Sequence, residues 1–219
     1  MSDDPQESLD LFDEHEEIVS EDGKKVKRKG IFLLPNLLTT AALFAGFFSI
    51  VSAINGNFVN AGMAIFAAQM LDGLDGRVAR LTNSQSLFGA QYDSLSDVIS
   101  FGLAPALIVF LWGVNSVGQA GWIISFFYVA AAALRLARFN TYIGSEDSFF
   151  KGLPSPIAGA MVVYFVWAMS SYGIQGEEVG RALAISTALL TAIVSLLMVV
   201  NIPYYSFKEI EMKKRVPFF

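Results

Sequence analysis

The sequence predicts an all-α integral membrane protein, a bundle of about six transmembrane helices with a juxtamembrane N-terminal segment. Three observations carry this. Of 219 residues, 54% are hydrophobic and only 16% charged, an apolar excess beyond the balance of a soluble domain. Apolar stretches near the ~20 residues needed to cross a bilayer recur six times, at about 36–54, 58–81, 89–113, 121–140, 154–173 and 181–202. Lys and Arg gather at one set of helix ends and are nearly absent from the other.

Residues 1–23 precede the first span and have the composition of an acidic disordered tail: Met1–Asp22 holds ten acidic residues and no Lys or Arg. The tail is no signal peptide, since basic residues follow the acids and no apolar h-region opens the chain. It also accounts for the net charge of −5, outside of which the chain is basic. Residues 24–35 form a basic juxtamembrane segment, Lys24-Lys25-Val26-Lys27-Arg28-Lys29 followed by Ile31-Phe32-Leu33-Leu34. Such a run either lies on an anionic membrane surface or is only the positive flank of the first span.

The transmembrane domain, 36–205, contains every candidate catalytic residue. Its connections Asn55-Gly56-Asn57, Asn115–Gly121 and Tyr172–Gly180 lack Lys and Arg. The basic residues stand at the N-terminal flank, at Arg77/Arg80, at Arg135/Arg138/Lys151 and at Lys208/Lys213/Lys214/Arg215, with Arg181 the exception. The positive-inside rule then puts both termini and the turn near Ser84 in the cytosol. Residues 206–219 are a basic cytosolic segment. Its ending, Lys213-Lys214-Arg215 then Val216-Pro217-Phe218-Phe219, reads as the start of a further span in a truncated chain, or as a short tail ending in the interface.

The second and third spans carry Asp72, Asp75, Asp93 and Asp97. Spacings of i, i+3 and i, i+4 put each pair on one helix face, with Gly76, Ala79 and Arg80 beside the first and Gly89 and Ser100 beside the second. Thr82–Ser86 interrupts the apolar pattern as a tight turn, which makes the segment a helical hairpin. Equal rise per residue about that turn brings Asp72 level with Asp97 and Asp75 level with Asp93, roughly 10 Å inside it. A solvated loop is excluded by the apolar sequence on either side. Four carboxylates at one depth in a low-dielectric setting require a compensating cation. With no cysteine, and the single histidine, His15, in the leader, the ligands are all oxygen, which favours Mg²⁺, Mn²⁺ or Ca²⁺.

The chain has no G-x-S-x-G elbow, Walker A loop, dinucleotide glycine pattern or H-E-x-x-H, so a carboxylate-held metal pair must carry any chemistry. Two closely spaced divalent ions suit a phosphate or pyrophosphate and its leaving group. Gly73, Gly76 and Ala79 would let a bulky ligand approach, and Arg80 could neutralise a phosphate oxygen. Small-residue helix packing alone is the other account of Gly76 and Ala79.

The pattern Asp72-x-x-Asp75-Gly76-x-x-Ala79-Arg80-x8-Gly89-x3-Asp93-x3-Asp97 resembles, without a departure, the signature of the CDP-alcohol phosphatidyltransferase family. Leu34-Pro35-Asn36-Leu37-Leu38-Thr39, Arg135-Leu136-Ala137-Arg138-Phe139-Asn140 and Gly152-Leu153-Pro154-Ser155-Pro156 are similar to its phosphatidylserine synthase branch, so the likeness covers roughly 31–205. The resemblance implies transfer of the phosphatidyl group of CDP-diacylglycerol to L-serine, giving phosphatidylserine and CMP, with Mg²⁺ or Mn²⁺ in a two-ion site. It implies metal ligation by Asp72, Asp75, Asp93 and Asp97, with Asp97 also the general base, and binding of the CDP moiety by Gly76, Ala79 and Arg80. It further implies a six-helix core, a homodimer, substrates drawn from membrane lipid, no nucleic acid partner, and a multi-pass place in a bacterial-type inner membrane with the site open to the cytosol.

Serine needs a cation for its carboxylate and acceptors for its ammonium group. Arg135, Arg138, Asn140, Lys151 and Ser155 are the groups on offer, and positive-inside anchoring by snorkelling side chains is the competing account of the basic ones. The signature reads the CDP half only, so glycerol 3-phosphate or inositol stand as alternative acceptors. A cation transporter is a more distant alternative, which would spread its acids through the bilayer depth.

Overall fold

A computed structural model describes residues 17–19, 25–27, 33–82, 84, 86–141 and 152–200. Residues 1–16, Lys24, Arg28 and Lys29 of the basic run, Lys151 and the 206–219 segment lie outside the described residues. Two three-residue strands, β1 (Glu17–Val19) and β2 (Lys25–Lys27), pair antiparallel with Ile18 opposite Val26. Everything else of regular structure among the described residues is helical.

The helices are α1 (Leu33–Ile54), α2 (Phe58–Leu81), α3 (Leu87–Asp97), α4 (Ala104–Trp112), α5 (Gln119–Thr141), α6 (Ser155–Ser171) and α7 (Arg181–Val199). A π turn over Val98–Leu103 joins α3 and α4 into one continuous rod. The six spans read from hydropathy are thus six rods, displaced by at most three residues at either end. Shifts of three fall at the end of α7, Val199 against 202, and at the start of α1, which begins at Leu33 because Pro35 falls in its first turn, where a missing N–H costs nothing.

Four rods are long and apolar enough to cross a membrane: Leu33–Ile54, Phe88–Trp112, Gln119–Thr141 and Arg181–Val199. At 17 residues α6 is apolar but shorter. The 24 residues of α2 suffice in length, and its polar content comes from Asn60, Gln69, Asp72, Asp75, Arg77 and Arg80. The protein is an integral membrane helical bundle. Large side chains such as Phe44, Phe47, Trp122, Phe126, Leu189 and Ile193 cover its outside, where lipid is the solvent.

The rod of α4 is the centre, with Ala104, Ile108, Val109 and Trp112 buried against Ile65, Tyr128, Val162 and Val166. Lipid gives helices no hydrophobic reason to associate, so close approach of small residues does much of the work. A Cβ added to Gly46 of α1 would lie 2.8 Å from the Ser100 backbone, a collision that marks how tightly α1 meets the π turn. The indole of Trp112 donates to the Ile174 carbonyl at 3.0 Å, tying the end of α4 to the α6–α7 connection.

The hairpin expected of the second and third spans is open: α2 packs mainly on α1 and α6, and α3 on α1, with little direct packing between α2 and α3. A gap therefore separates the two aspartate-bearing helices near their shared turn, with α1 as its back wall.

Candidate active site

Each aspartate reaches the gap from a helix held on α1. Asp72 and Asp75 lie on the second half of α2, and Asp93 and Asp97 on the last turns of α3. Ser86 caps α3, accepting from the Gly89 N–H at 2.8 Å and fixing where that helix begins. Carboxylate oxygens of Asp72, Asp75 and Asp93 all lie within 4.8 Å of one another. The Asp97 carboxyl group is in hydrogen-bonding contact with that of Asp72. Asp72 thus meets Asp97 and Asp75 stands beside Asp93, the pairing that equal helical rise gives.

Thr39 of α1 donates its hydroxyl to Asp75 Oδ2 at 2.8 Å and lies 3.1 Å from the Pro35 carbonyl oxygen. Ser96 Oγ in turn donates to the Thr39 carbonyl at 3.4 Å, so α1 is stitched to both aspartate helices. Sequence spacing assigned Thr39 nothing; the signal available was a polar residue one turn after Pro35 in the first turns of an apolar span. Ser100 behaves differently from the expectation that it shares the aspartate face. Its hydroxyl donates to the Ala42 carbonyl at 3.4 Å, because residues of a π turn advance less per residue than in an α-helix and carry Ser100 round onto the side of Ser96.

The face of α2 beside the carboxylates is open. A Cβ built on Gly73 or Gly76 would meet nothing within 4 Å, which favours ligand access over helix packing as their role. Arg80 is exposed and folds back so that its Nε donates to the Gly76 carbonyl at 3.0 Å, holding the guanidinium over this face. Ala79 is half-buried on the same side.

The residues considered for an acceptor separate into distinct settings. Arg135 donates to Ser155 Oγ at 3.0 Å, feels the charge of Asp97, and keeps a buried Nε without a hydrogen-bond partner. Arg138 donates to the Val199 carbonyl at 3.3 Å at the C-terminus of α7. Asn140 accepts from Ser94 Oγ at 3.0 Å and donates to Gln91 Oε1 at 3.3 Å, both on α3. Ser155 is fully buried at the start of α6. Lys151 lies outside the described residues.

The donor set fits a divalent ion. Its atoms are all carboxylate oxygens, three of them converge, and Asp93 Oδ1 is buried with no hydrogen-bond partner, an arrangement costly for a charged group unless a cation completes it. Fold and site together define a membrane-embedded enzyme whose carboxylate cluster can hold a divalent metal at one end of a helical bundle.

Residues 32–203 match the CDP-alcohol phosphatidyltransferase profile, and the chain belongs to that family. It is 41% identical over 183 residues to the CDP-diacylglycerol–serine O-phosphatidyltransferase of Helicobacter pylori, covering 83% of this chain and 75% of that one. The enzyme of the same name in Mycobacterium tuberculosis is 40% identical over 147 residues, 64% of this chain and 51% of its own length. The archaetidylserine synthase of Methanothermobacter thermautotrophicus is 35% identical over 173 residues, or 78% and 69% of the two chains. Enzymes of this family depend on a divalent metal, for which the cluster supplies ligands.

Proposed function

We propose that the protein transfers the phosphatidyl group of CDP-diacylglycerol to the hydroxyl of L-serine, yielding phosphatidylserine and CMP. The observation that carries this reading is the convergence of Asp72, Asp75 and Asp93, with Asp97 against Asp72, beside an open glycine face in a chain about 40% identical to enzymes of that name. In the reaction a bond forms between the serine oxygen and the phosphorus bearing diacylglycerol, the bond from that phosphorus to CMP breaks, and the hydroxyl proton passes to Asp97. Gly76, Ala79 and Arg80 bind the CDP moiety: the two small residues admit it and the guanidinium meets a phosphate oxygen. Asp72, Asp75 and Asp93, with Asp97 adjoining, would hold Mg²⁺ or Mn²⁺, as a two-ion site. A bound divalent ion supplies charge neutralisation to the pyrophosphate and to the departing CMP.

Arg135 takes the serine carboxylate, for which its unpartnered Nε and its closeness to Asp97 speak. Arg138, Asn140 and Ser155 complete that side, and Lys151 is the further group that the sequence offers. Among the described residues Arg135 is the guanidinium that feels Asp97, which suits a carboxylate better than a phosphorylated acceptor, for which a denser basic pocket would be needed. The acyl chains stay in the lipid while the headgroup enters the gap. The protein works as a homodimer in a bacterial-type inner membrane, with the site and both ends of the chain cytosolic.

Incubating the purified protein with CDP-diacylglycerol and L-serine, glycerol 3-phosphate or inositol, and weighing the lipid product, tests the reading. Phosphatidylserine is expected, and a different product with serine ignored would refute it. Orientation is tested by labelling a cysteine introduced at exposed Thr82, since Ser84 at the turn is buried. Labelling from the outer side of sealed cells would overturn the cytosolic site.

A further inference from the structure

Gln69 stands three residues before Asp72 on α2 and is the single hydrogen-bonding side chain in the stretch 61–71, AGMAIFAAQML. Its Nε2 donates to the Pro156 carbonyl at 2.6 Å, and its Oε1 accepts from the Tyr164 hydroxyl. Both partners belong to α6. Pro156 follows Ser155, whose Oγ receives Arg135 at 3.0 Å, and Arg135 lies in the field of Asp97. The contacts therefore run from the metal-binding helix to α6, from α6 to α5, and back to the carboxylate opposite.

A half-buried amide among lipid-embedded helices is costly unless bonded, and a leucine here would fill the same space without that demand. The amide of Gln69 goes to the first turn of another helix. That turn is unusual in position: α6 begins level with the interior of α2, after Leu153 N–H donates to the Leu197 carbonyl at 2.9 Å, and its Ser155 is fully buried. A helix starting inside the bundle needs something to set its depth and rotation, and a glutamine held at both ends of its amide supplies that.

We infer that Gln69 is a positioning residue for the acceptor side of the site, fixing the first turn of α6 and, through Ser155, the guanidinium of Arg135 beside Asp97. Tyr164 assists by locking the orientation of the amide. The inference rests on the serine-transfer reading only in naming L-serine as the substrate that responds. Gln69 touches none of the groups assigned to the CDP moiety.

Steady-state kinetics of three variants test it. Gln69→Met keeps volume and helix preference while removing both bonds. It should raise KM for L-serine about tenfold, the scale of one or two lost hydrogen bonds, with KM for CDP-diacylglycerol and the half-saturating metal concentration unchanged within about twofold. Tyr164→Phe leaves the bond to Pro156 intact and should raise KM for serine only about two- to threefold, and it stands as the test if Gln69→Met does not fold. In a Ser155→Ala background, Gln69→Met should add less than about twofold, because its effect passes through Ser155. A residue that merely stabilises the bundle would lower the active fraction and Tm with both KM values intact, and that result overturns the proposal. So does an equal rise in both KM values, or full additivity with Ser155→Ala. A wild-type enzyme that uses another alcohol refutes the serine reading alone, and the same split is then read with that alcohol.

Discussion

Replacing Thr39 with valine removes one oxygen and almost no volume. That oxygen is the hydrogen-bond donor 2.8 Å from Asp75 Oδ2, and Asp75 is 5% exposed. A hydrogen bond to a charged group contributes roughly 1.5–3 kcal/mol. At about 1.4 kcal/mol per factor of ten, this corresponds to roughly 10- to 100-fold in a binding constant, the range also found when an outer partner of a metal ligand is lost. The Thr39 hydroxyl also lies 3.1 Å from the Pro35 carbonyl, but that bond is local to α1 and its loss falls on stability. Thr39→Val should therefore raise the Mg²⁺ or Mn²⁺ concentration for half-maximal CMP release about 10- to 100-fold, with turnover at saturating metal largely retained. Thr39→Ser, which keeps the donor, should stay within about threefold of wild type. A metal titration of CMP release decides it. If Thr39→Val titrates like wild type, or loses turnover that no amount of metal restores, then the hydroxyl does not orient Asp75 for a cation.

Chelation should abolish turnover and Mg²⁺ or Mn²⁺ should restore it; full activity in excess EDTA would sink the metal site. Asp97→Asn should lower turnover by about 10² or more, as loss of a general base does, while CDP-diacylglycerol still binds. Asp75→Asn should instead weaken metal and nucleotide binding together, so titrating both ligands against each mutant separates the two roles. Gly76→Leu meets no atom of the fold within 4 Å of its Cβ. It should leave Tm within a few degrees of wild type yet sharply weaken CDP-diacylglycerol binding, and wild-type affinity would remove Gly76 from the CDP site.

The spans and the aspartates were legible because they depend on local quantities. Hydropathy over ~20 residues marks a rod, and i, i+3 and i, i+4 spacing marks a shared face. Thr39 was not legible because its role arises where α1 crosses Asp75, thirty-six residues along the chain. The gap between α2 and α3 was hidden for a related reason: a short turn implies adjacent helices, and nothing local says that both will prefer α1 as partner. Gln69 did carry a signal, a lone amide in an apolar run, but its partners on α6 are 87 and 95 residues away. The turn of Ser100 away from the aspartates could not be read at a uniform 100° per residue.

The π turn at Val98–Leu103 makes the third rod a shaft with an angular offset between its ends. Above it, Asp93 and Asp97 are phased toward α2; below it, Ile108, Val109 and Trp112 are phased toward the centre of the bundle. A regular α-helix would hold those two sets in a single fixed phase, so improving the packing of one end would swing the other off target. The extra residue frees each end to be aimed separately. Deleting one of the six residues from 98 to 103 would leave the two ends close to their present phase, whereas forcing all six into α geometry, with none removed, would rotate one end by roughly 100° against the other. The membrane-buried half would keep its seat, since most of its packing lies there, and the two carboxylates would turn out of the gap. Substitutions that straighten this turn would thus cost catalysis before they cost packing.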